Sequence, residues 1–248
     1  MRWVIVVFGL CIGLITALIA FGEVGHLRRV APDRLPDWTS ALSNRSGIVS
    51  GRAEIAALGP LPGPVLATWR WHGLDGLDPA WRITLDGPTF GGGAIAAADI
   101  PPDTLRVTST NLSLDLAALS DNQPALSLAG QARFDALDAA LRVKDRRLVR
   151  LRGDGRLFGV SFDGQTIGDG TFQLTGDVGG AWRLGFVING TAATIEGRLS
   201  GRYDLGGATL EALIAPGPDM PPDWASQLSL LYDQDENGRW RVTARLPF

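Results

Sequence analysis

An uncharged apolar run near the start of the chain sets the first limit on its structure. The run extends from Trp3 to Phe21 and reads WVIVVFGLCIGLITALIAF. As a helix, these 19 residues rise about 28 Å, which is enough to cross a hydrocarbon core of about 30 Å. The indole of Trp3 is of the kind that favours the headgroup region. We therefore expect residues 1–21 to form a short stub and one transmembrane helix.

The alternative interpretation of this run is a cleaved signal peptide. Such a peptide carries an apolar stretch of about 7–15 residues, followed by a cleavage site made of small residues. Here the run is longer, and Leu18 is too bulky for the Leu18-Ile19-Ala20 stretch to serve as that site. An uncleaved anchor is therefore favoured. Charge does not decide its orientation, because arginines flank the run on both sides and large domains cross the membrane largely regardless of charge.

The remainder of the chain has a β-rich pattern. Residues 22–46 form a polar neck, in which 36–42 is predicted as a short helix. From Gly47 onward, apolar and polar residues alternate, as a half-buried strand requires. The clearest apolar rows are Trp182, Leu184, Phe186 and Ile188, and then Trp240, Val242, Ala244 and Leu246. Residues 47–248 are thus predicted to form one β-rich domain.

Glycine content and turn signals refine this expectation. The chain has 32 glycines, which suits many turns between short strands and does not suit long helices. We expect a mainly β fold, an antiparallel meander that forms a curved sheet, a sandwich or a partly open barrel. A change of face near Asn111 predicts a bulge or a turn. One helix is expected at 224–232, capped by Asp223 after Pro221 and Pro222.

Residues that carry chemistry are few. The histidines are His26 and His72, of which His72 is expected to be structural, and the one cysteine, Cys11, lies inside the apolar run. No nucleophile elbow, Walker loop, dinucleotide fingerprint or zincin motif is present in the sequence. A net charge of -3 provides no electrostatic footprint for nucleic acid. We expect no enzyme, no cofactor and no catalytic, cofactor-binding or metal-binding residue.

Two motifs and a set of carboxylates have more than one interpretation. Residues 233–238 match the first half of a calcium loop, but Ala244 stands where the loop needs a bidentate Glu, so a tight turn is favoured. The triple glycine Gly91 to Gly93 lacks the Lys and helix of a phosphate-binding loop and is expected to be a flexible turn. Several carboxylates beside Gly or Pro are expected at turns: Asp75, Asp78, Asp86, Asp163 and Asp169.

The overall layout resembles the family of protein N of the bacterial type II secretion system, also called general secretion pathway protein N. Gly47-Ile-Val-Ser-Gly-Arg-Ala53 is similar to the family's opening strand, which follows a Ser-Gly-x-x-x-Ser-Gly pattern. Trp69-Arg-Trp71 and Asp78-Pro-Ala-Trp-Arg-Ile83 resemble its tryptophan-bearing strand and the segment after it. The closing turn and strand of the family resemble Leu228-Ser-Leu-Leu-Tyr232, Asp235-Glu-Asn-Gly-Arg239 and Leu246-Pro247.

The resemblance implies a single-pass protein of the bacterial inner membrane, with a cytoplasmic stub and a periplasmic C-terminal domain. It implies an accessory, non-catalytic part in secretion, through protein–protein contacts with other type II secretion subunits. The chain is also similar in style to AsmA-like envelope proteins, which are membrane-anchored and β-rich. That second resemblance implies a protein that binds or conducts envelope lipids.

Overall fold

The fold is a single antiparallel sheet of 13 strands. The computed structural model describes residues 45–55, 64–99, 103–117, 127–142, 144, 147–162, 164–202 and 207–247. The first strands are β1 (Ser50–Ile55), β2 (Val65–Asp75), β3 (Asp78–Asp86), β4 (Phe90–Ala98), β5 (Thr104–Ser109), β6 (Ser113–Asp115) and β7 (Leu128–Arg142). The others are β8 (Arg147–Phe162), β9 (Gln165–Gly176), β10 (Ala181–Asn189), β11 (Ala193–Arg202), β12 (Gly207–Pro216) and β13 (Trp240–Pro247), with helix α1 (Pro222–Leu231) before the last strand.

The strand order follows the chain from β1 to β13, except that the short β6 lies beside the main path and pairs with β4 and β7. The predicted mainly β, antiparallel meander is therefore confirmed. All described strands belong to one sheet, so the sandwich, one of the three arrangements considered, is wrong. Some Cα atoms of β2 lie within 8 Å of β4, and some of β8 within 8 Å of β10. Two strand spacings in a flat sheet measure about 9.5 Å, so the sheet bends at β3 and at β9.

The antiparallel order divides the strand ends into two rims. At the N-terminal rim, β1, β3, β5, β8, β10 and β12 begin, and β2, β4, β7, β9, β11 and β13 end. At the opposite, helix-capped rim, α1 connects the end of β12 to the start of β13. The first strand therefore begins at the first of these rims.

The end of the chain contains the predicted helix, with one correction. Helix α1 is close to the expected 224–232, but Asp223 lies in its first turn and does not cap it. The N-cap position is occupied by Pro221, without a side-chain hydrogen bond, and Pro222 takes the first helical position. Proline suits that position because its missing N–H would have no partner within the helix.

The predicted membrane span, residues 3–21, lies outside the described residues, as do His26, the short helix at 36–42 and Asp163. Within the part of the chain that the structure describes, no helix combines the length and apolar character needed to cross a bilayer.

Two local predictions have clear outcomes. The break near Asn111 is confirmed, since β5 ends at Ser109, β6 begins at Ser113, and Asn111 Oδ1 accepts a hydrogen bond of 2.9 Å from Gly93 N–H. The flexible turn at Gly91 to Gly93 is wrong, because these residues lie inside β4. A Cβ on Gly92 would stand 2.3 Å from Asn111 O, so the glycines permit a close approach of two backbones.

The expected turn aspartates behave differently from one another. Asp75 and Asp78 flank the β2–β3 turn, and Asp86 ends β3, as expected. Asp169 lies within β9 instead, where its Oδ1 accepts a hydrogen bond of 2.7 Å from Gly159 N–H. The prediction of a turn at Asp169 is therefore wrong. Its carboxylate binds a backbone N–H group of the neighbouring strand β8, at a β-bulge where the pairing with β9 shifts.

Candidate interaction surface

One face of the sheet is apolar along the whole strand order. Cross-strand pairing aligns Phe172 of β9 with Gly155 of β8 and Phe186 of β10. The same row continues through Gly197 and Ala212. At the other end of the sheet the corresponding positions include Ala53, Trp69, Trp71, Trp81, Ile83, Ala94 and Ala96. We call this surface the apolar face. Its side chains are mostly buried or half-buried, and those of the opposite, polar face are mostly exposed.

Aromatic rings on the apolar face lie over glycines of neighbouring strands. A Cβ on Gly197 would stand 2.2 Å from Phe186 Cζ, and one on Gly51 would stand 2.3 Å from Trp69 Cζ2. These distances are far below van der Waals contact, so the glycines leave the space that the rings occupy. Phe172 adds an edge-to-face contact with Phe134, at a centroid distance of 4.9 Å. The apolar face is thus matched in shape and closely packed along the sheet.

Helix α1 closes the apolar face at the helix-capped rim. Trp224 packs against the central cluster of buried residues and lies edge-on to Phe162, with centroids 6.5 Å apart. Trp240 Nε1 donates a hydrogen bond of 3.2 Å to Ser229 Oγ near the other end of the helix. One short helix therefore contacts both β8 and β13.

The polar face carries ion pairs that are exposed to solvent. Arg156 donates hydrogen bonds of 2.9 Å and 2.8 Å to the two carboxylate oxygens of Asp135. The hydrogen bond from Arg156 and its positive charge hold the pKa of Asp135 below its usual value. The same guanidinium lies 5.7 Å from the ring centroid of Phe158. Exposed pairs of this kind contribute little to stability, so this face is suited to solvent or to a polar partner.

The first edge strand, β1, is covered at Ser50 and Arg52 by its own chain. Ser46, which is fully buried, donates from its Oγ to Arg52 O at 2.7 Å and accepts from Arg52 N–H at 3.0 Å. Gly47 N–H donates to Ser50 O at 2.8 Å. These groups occupy the outward-facing hydrogen-bonding positions of β1 at Ser50 and Arg52. Such protection is a common way to prevent unwanted strand pairing at a sheet edge.

The opposite edge strand, β13, is covered only at its start. Arg241 N–H donates to Asp233 O at 3.1 Å, which shows that the backbone of Arg241 points away from β12. Backbone groups alternate in direction along an antiparallel strand, so those of Thr243 and Arg245 point outward as well. Among the described residues, nothing pairs with them. A partner strand can therefore pair with β13 at these positions.

The opening segment and the tryptophan-bearing strands meet in one corner of the sheet. Trp69 Nε1 donates to Gly47 O at 2.9 Å, and Trp81 Nε1 donates to Ile48 O at 2.7 Å. Trp71 packs edge-on against Trp81, with ring centroids 5.5 Å apart. The opening segment and the tryptophan-bearing strands thus form one connected unit, although they are separated in sequence. The tryptophans hold the segment that leads into β1.

The candidate calcium loop forms a tight turn, which was the favoured interpretation. Asp235 Oδ1 accepts hydrogen bonds from the backbone N–H groups of Asn237 and Arg239, at 2.9 Å and 3.0 Å. Its Oδ2 accepts a bond of 2.8 Å from Arg239 Nε. These bonds, first the backbone bond from Arg239 and then its side-chain bond, lower the pKa of Asp235. The carboxylate is therefore engaged in stabilising its own turn.

Among the described residues there is one histidine, His72. His72 is exposed, at a bulge in β2, where it faces solvent. Within the described ranges, His, Cys, Asp and Glu do not form any group of three that could hold a metal ion. Comparison of the chain with models of known families, with characterised proteins and with solved structures finds no match.

Proposed function

We propose that this chain is an accessory inner-membrane component of the type II secretion system, anchored by residues 3–21 with its sheet in the periplasm. The sheet acts through non-catalytic protein–protein contacts, and no cofactor takes part. The observation that carries this proposal is the asymmetry of the two edges. One edge strand is covered at Ser50 and Arg52 by Gly47 and Ser46, whereas β13 leaves outward-facing backbone groups at Thr243 and Arg245.

The chemistry of β13 indicates what kind of segment would pair with it. Its apolar side chains, Val242 and Ala244, continue the apolar face, and Arg241 and Arg245 are exposed on the polar face. A matching strand would alternate apolar residues with acidic or other polar ones. Main-chain hydrogen bonds would supply affinity, and the alternating side chains would supply specificity.

Thr243→Pro tests this contact. Proline removes the outward N–H of Thr243, which β12 does not use, and proline is tolerated on an edge strand in that position. We expect the variant to fold and to lose its secretion partner. The measurement is co-purification of the tagged full-length protein, after mild crosslinking, with other inner-membrane secretion subunits from its own cells.

The matched control is Thr171→Ala on the polar face of β9, in the middle of the sheet, which should retain the partner. Circular dichroism and thermal unfolding of each variant separate loss of contact from loss of fold. The proposal is wrong if the wild-type protein emerges without secretion subunits. The assignment to β13 is wrong if folded Thr243→Pro retains them.

A second candidate function, an AsmA-like binding or conduction of envelope lipids, is favoured by the continuity of the apolar face. That surface runs without a charged side chain along the aligned row from Trp69 to Ala244. Among the described residues, α1 closes it at the helix-capped rim. Acyl chains are the occupants that this chemistry fits.

Photoreactive acyl-chain phospholipids, incorporated in vesicles with the full-length protein, test this function. Adducts on Leu184 or Phe186, with none on Arg183 or Val187 of the opposite face, would support it. Adducts restricted to residues 3–21 would rule it out, because the anchor alone would then account for them.

A further inference from the structure

Three arginines gather on the polar face of the first three strands. Arg52 of β1, Arg70 of β2 and Arg82 of β3 are all exposed there. Cross-strand pairing places Arg70 directly opposite Arg82, and Arg52 opposite Thr68, diagonally next to Arg70. Side chains directly opposite each other have Cβ atoms about 4.5–5.5 Å apart, and diagonal neighbours about 7–8 Å. The three guanidinium groups are therefore close enough to contact one small ligand.

The charges of these arginines are not balanced within the described part of the chain. None of the three forms an ion pair there with a carboxylate. The acidic side chains Glu54 and Asp86 lie on the same face, but in the next row, where both pair with Leu66. Like charges directly opposite each other destabilise a sheet. The Arg70–Arg82 pairing therefore has a cost that the described residues do not offset.

A second cross-strand arginine pair in the same sheet shows how such a cost is offset. Arg133 of β7 lies opposite Arg156 of β8. There Asp135 accepts two hydrogen bonds from Arg156. The hydrogen bond from Arg156, and then the charges of Arg156 and Arg133, lower the pKa of Asp135. An anion beside the two guanidinium groups thus compensates that pair, and the described residues provide no such group at Arg70 and Arg82.

The same arginines line an open cavity of about 930 Å³. Arg45 lines it as well, from the outer edge of β1, where Ser46 bonds to the backbone of Arg52 and holds the preceding segment. Thr68 and Thr84 continue the row that Arg52 begins, and their hydroxyl groups are further hydrogen-bond donors. Among the described residues that line this cavity, none is acidic. The cavity therefore combines four cations with neutral donors.

We propose that this arginine cluster, made of Arg45, Arg52, Arg70 and Arg82, binds a phosphate monoester group. Guanidinium groups bind phosphate through paired, charge-assisted hydrogen bonds. A phosphate monoester carries a charge of about −1.5 to −2 and three acceptor oxygens, so it offsets more of the four cations than one carboxylate does. A soluble ester and a lipid headgroup share this chemistry. The inference goes beyond the proposed function, because the cluster lies at the end of the sheet opposite to β13.

Isothermal titration calorimetry of the full-length protein in neutral detergent tests the proposal. Glycerol 3-phosphate is the soluble probe, and monomeric dihexanoyl phosphatidic acid carries the same group as a lipid headgroup. We expect saturable binding that Arg70→Gln or Arg82→Gln weakens about tenfold or more, because each removes charge-assisted hydrogen bonds. Such a loss with either probe supports the proposal. A preference for the lipid then identifies a headgroup as the source of the phosphate, and no such preference identifies a soluble ester.

Arg183→Gln is the matched control. Arg183 of β10 is also exposed on the polar face, but it lies opposite Ser200 and Thr175 instead of another arginine. This variant should bind like the wild type, and circular dichroism should show an intact sheet in all variants. The proposal is overturned if neither probe binds, or if the affinity of Arg70→Gln is no lower than that of Arg183→Gln. Binding of succinate as tight as that of glycerol 3-phosphate would also overturn it, because the cluster would then fit the carboxylates of an acidic protein segment equally well.

Discussion

The two faces of this sheet differ in how closely their side chains constrain one another. On the apolar face, rings fit over glycines of adjacent strands, as Phe186 does over Gly197. On the polar face, Arg156 and Asp135 form an ion pair in contact with solvent. A ring placed against a backbone cannot move without leaving a void, whereas an exposed ion pair exchanges readily with water. Stability should therefore depend on the apolar face, and the polar face should tolerate change.

The difference also bears on binding. In the described part of the chain, the apolar face is closed by α1 at one rim, and the sheet is open at β13. A strand added there extends both faces at once. The partner must therefore match a constrained apolar surface on one side and a permissive polar surface on the other.

The largest expected effect is that of Phe172→Ala. Phe172 is 5% exposed and contacts Phe134. Truncation of such a buried ring costs about 3–5 kcal/mol. Its neighbour Gln173 is exposed on the polar face, and Gln173→Ala should change the free energy of unfolding by less than about 0.5 kcal/mol. Urea unfolding of the full-length protein in detergent measures both, and equal shifts of the two midpoints would contradict the comparison.

Glycine substitutions test the same difference between the apolar and polar faces. A Cβ on Gly155 would stand 2.1 Å from Arg133 O and 2.7 Å from Phe172 Cζ, so Gly155→Ala forces the backbone apart. We expect a loss of about 1–3 kcal/mol, as in other overpacked sites. On the polar face, a Cβ on Gly185 meets nothing within 4 Å. Gly185→Ala should be neutral or stabilise the protein by about 0.5 kcal/mol, since it restricts the unfolded chain.

The melting temperatures of the Gly155→Ala and Gly185→Ala variants provide the measurement. A comparable decrease for both would show that the apolar face has no special packing constraint. A decrease for Gly185→Ala alone would reverse the comparison of the faces.

The alternation of side chains could be predicted from the sequence because it is local. In β10 and β13, the apolar rows from Trp182 and Trp240 fall on one face as expected. The strand order could also be predicted, because short turns favour pairing between successive strands. The pairing of Phe172 with Gly155 could not be predicted, because bulges in β7 and β8 shift the register by single residues.

The candidate surface was less accessible to sequence reasoning. The triple glycine at Gly91 to Gly93 has the composition of a turn, but glycine equally permits two backbones to approach, and only the fold distinguishes these uses. Likewise, Ser46 has no local signal of its role, because the groups that it bonds lie six residues away on β1. The open edge at β13 could not be predicted either, because which strand lies at an edge depends on the order of all the strands.

The smallest expected effect concerns the ion pair on the polar face. The hydrogen bond and charge of Arg156 lower the pKa of Asp135 from its usual value of 3.8. The carboxylate therefore contributes stability that is fully present above pH 3.8 and is lost as the pH falls through the lower pKa of the folded state. Asp135→Asn should be slightly less stable than the wild type at neutral pH, and the gap should close on acidification. Urea midpoints as a function of pH measure it, and Arg156→Gln should show the same profile because it removes the same contact. A gap that persists unchanged in acid would mean that Asp135 acts through packing, and the two faces would then differ less than proposed.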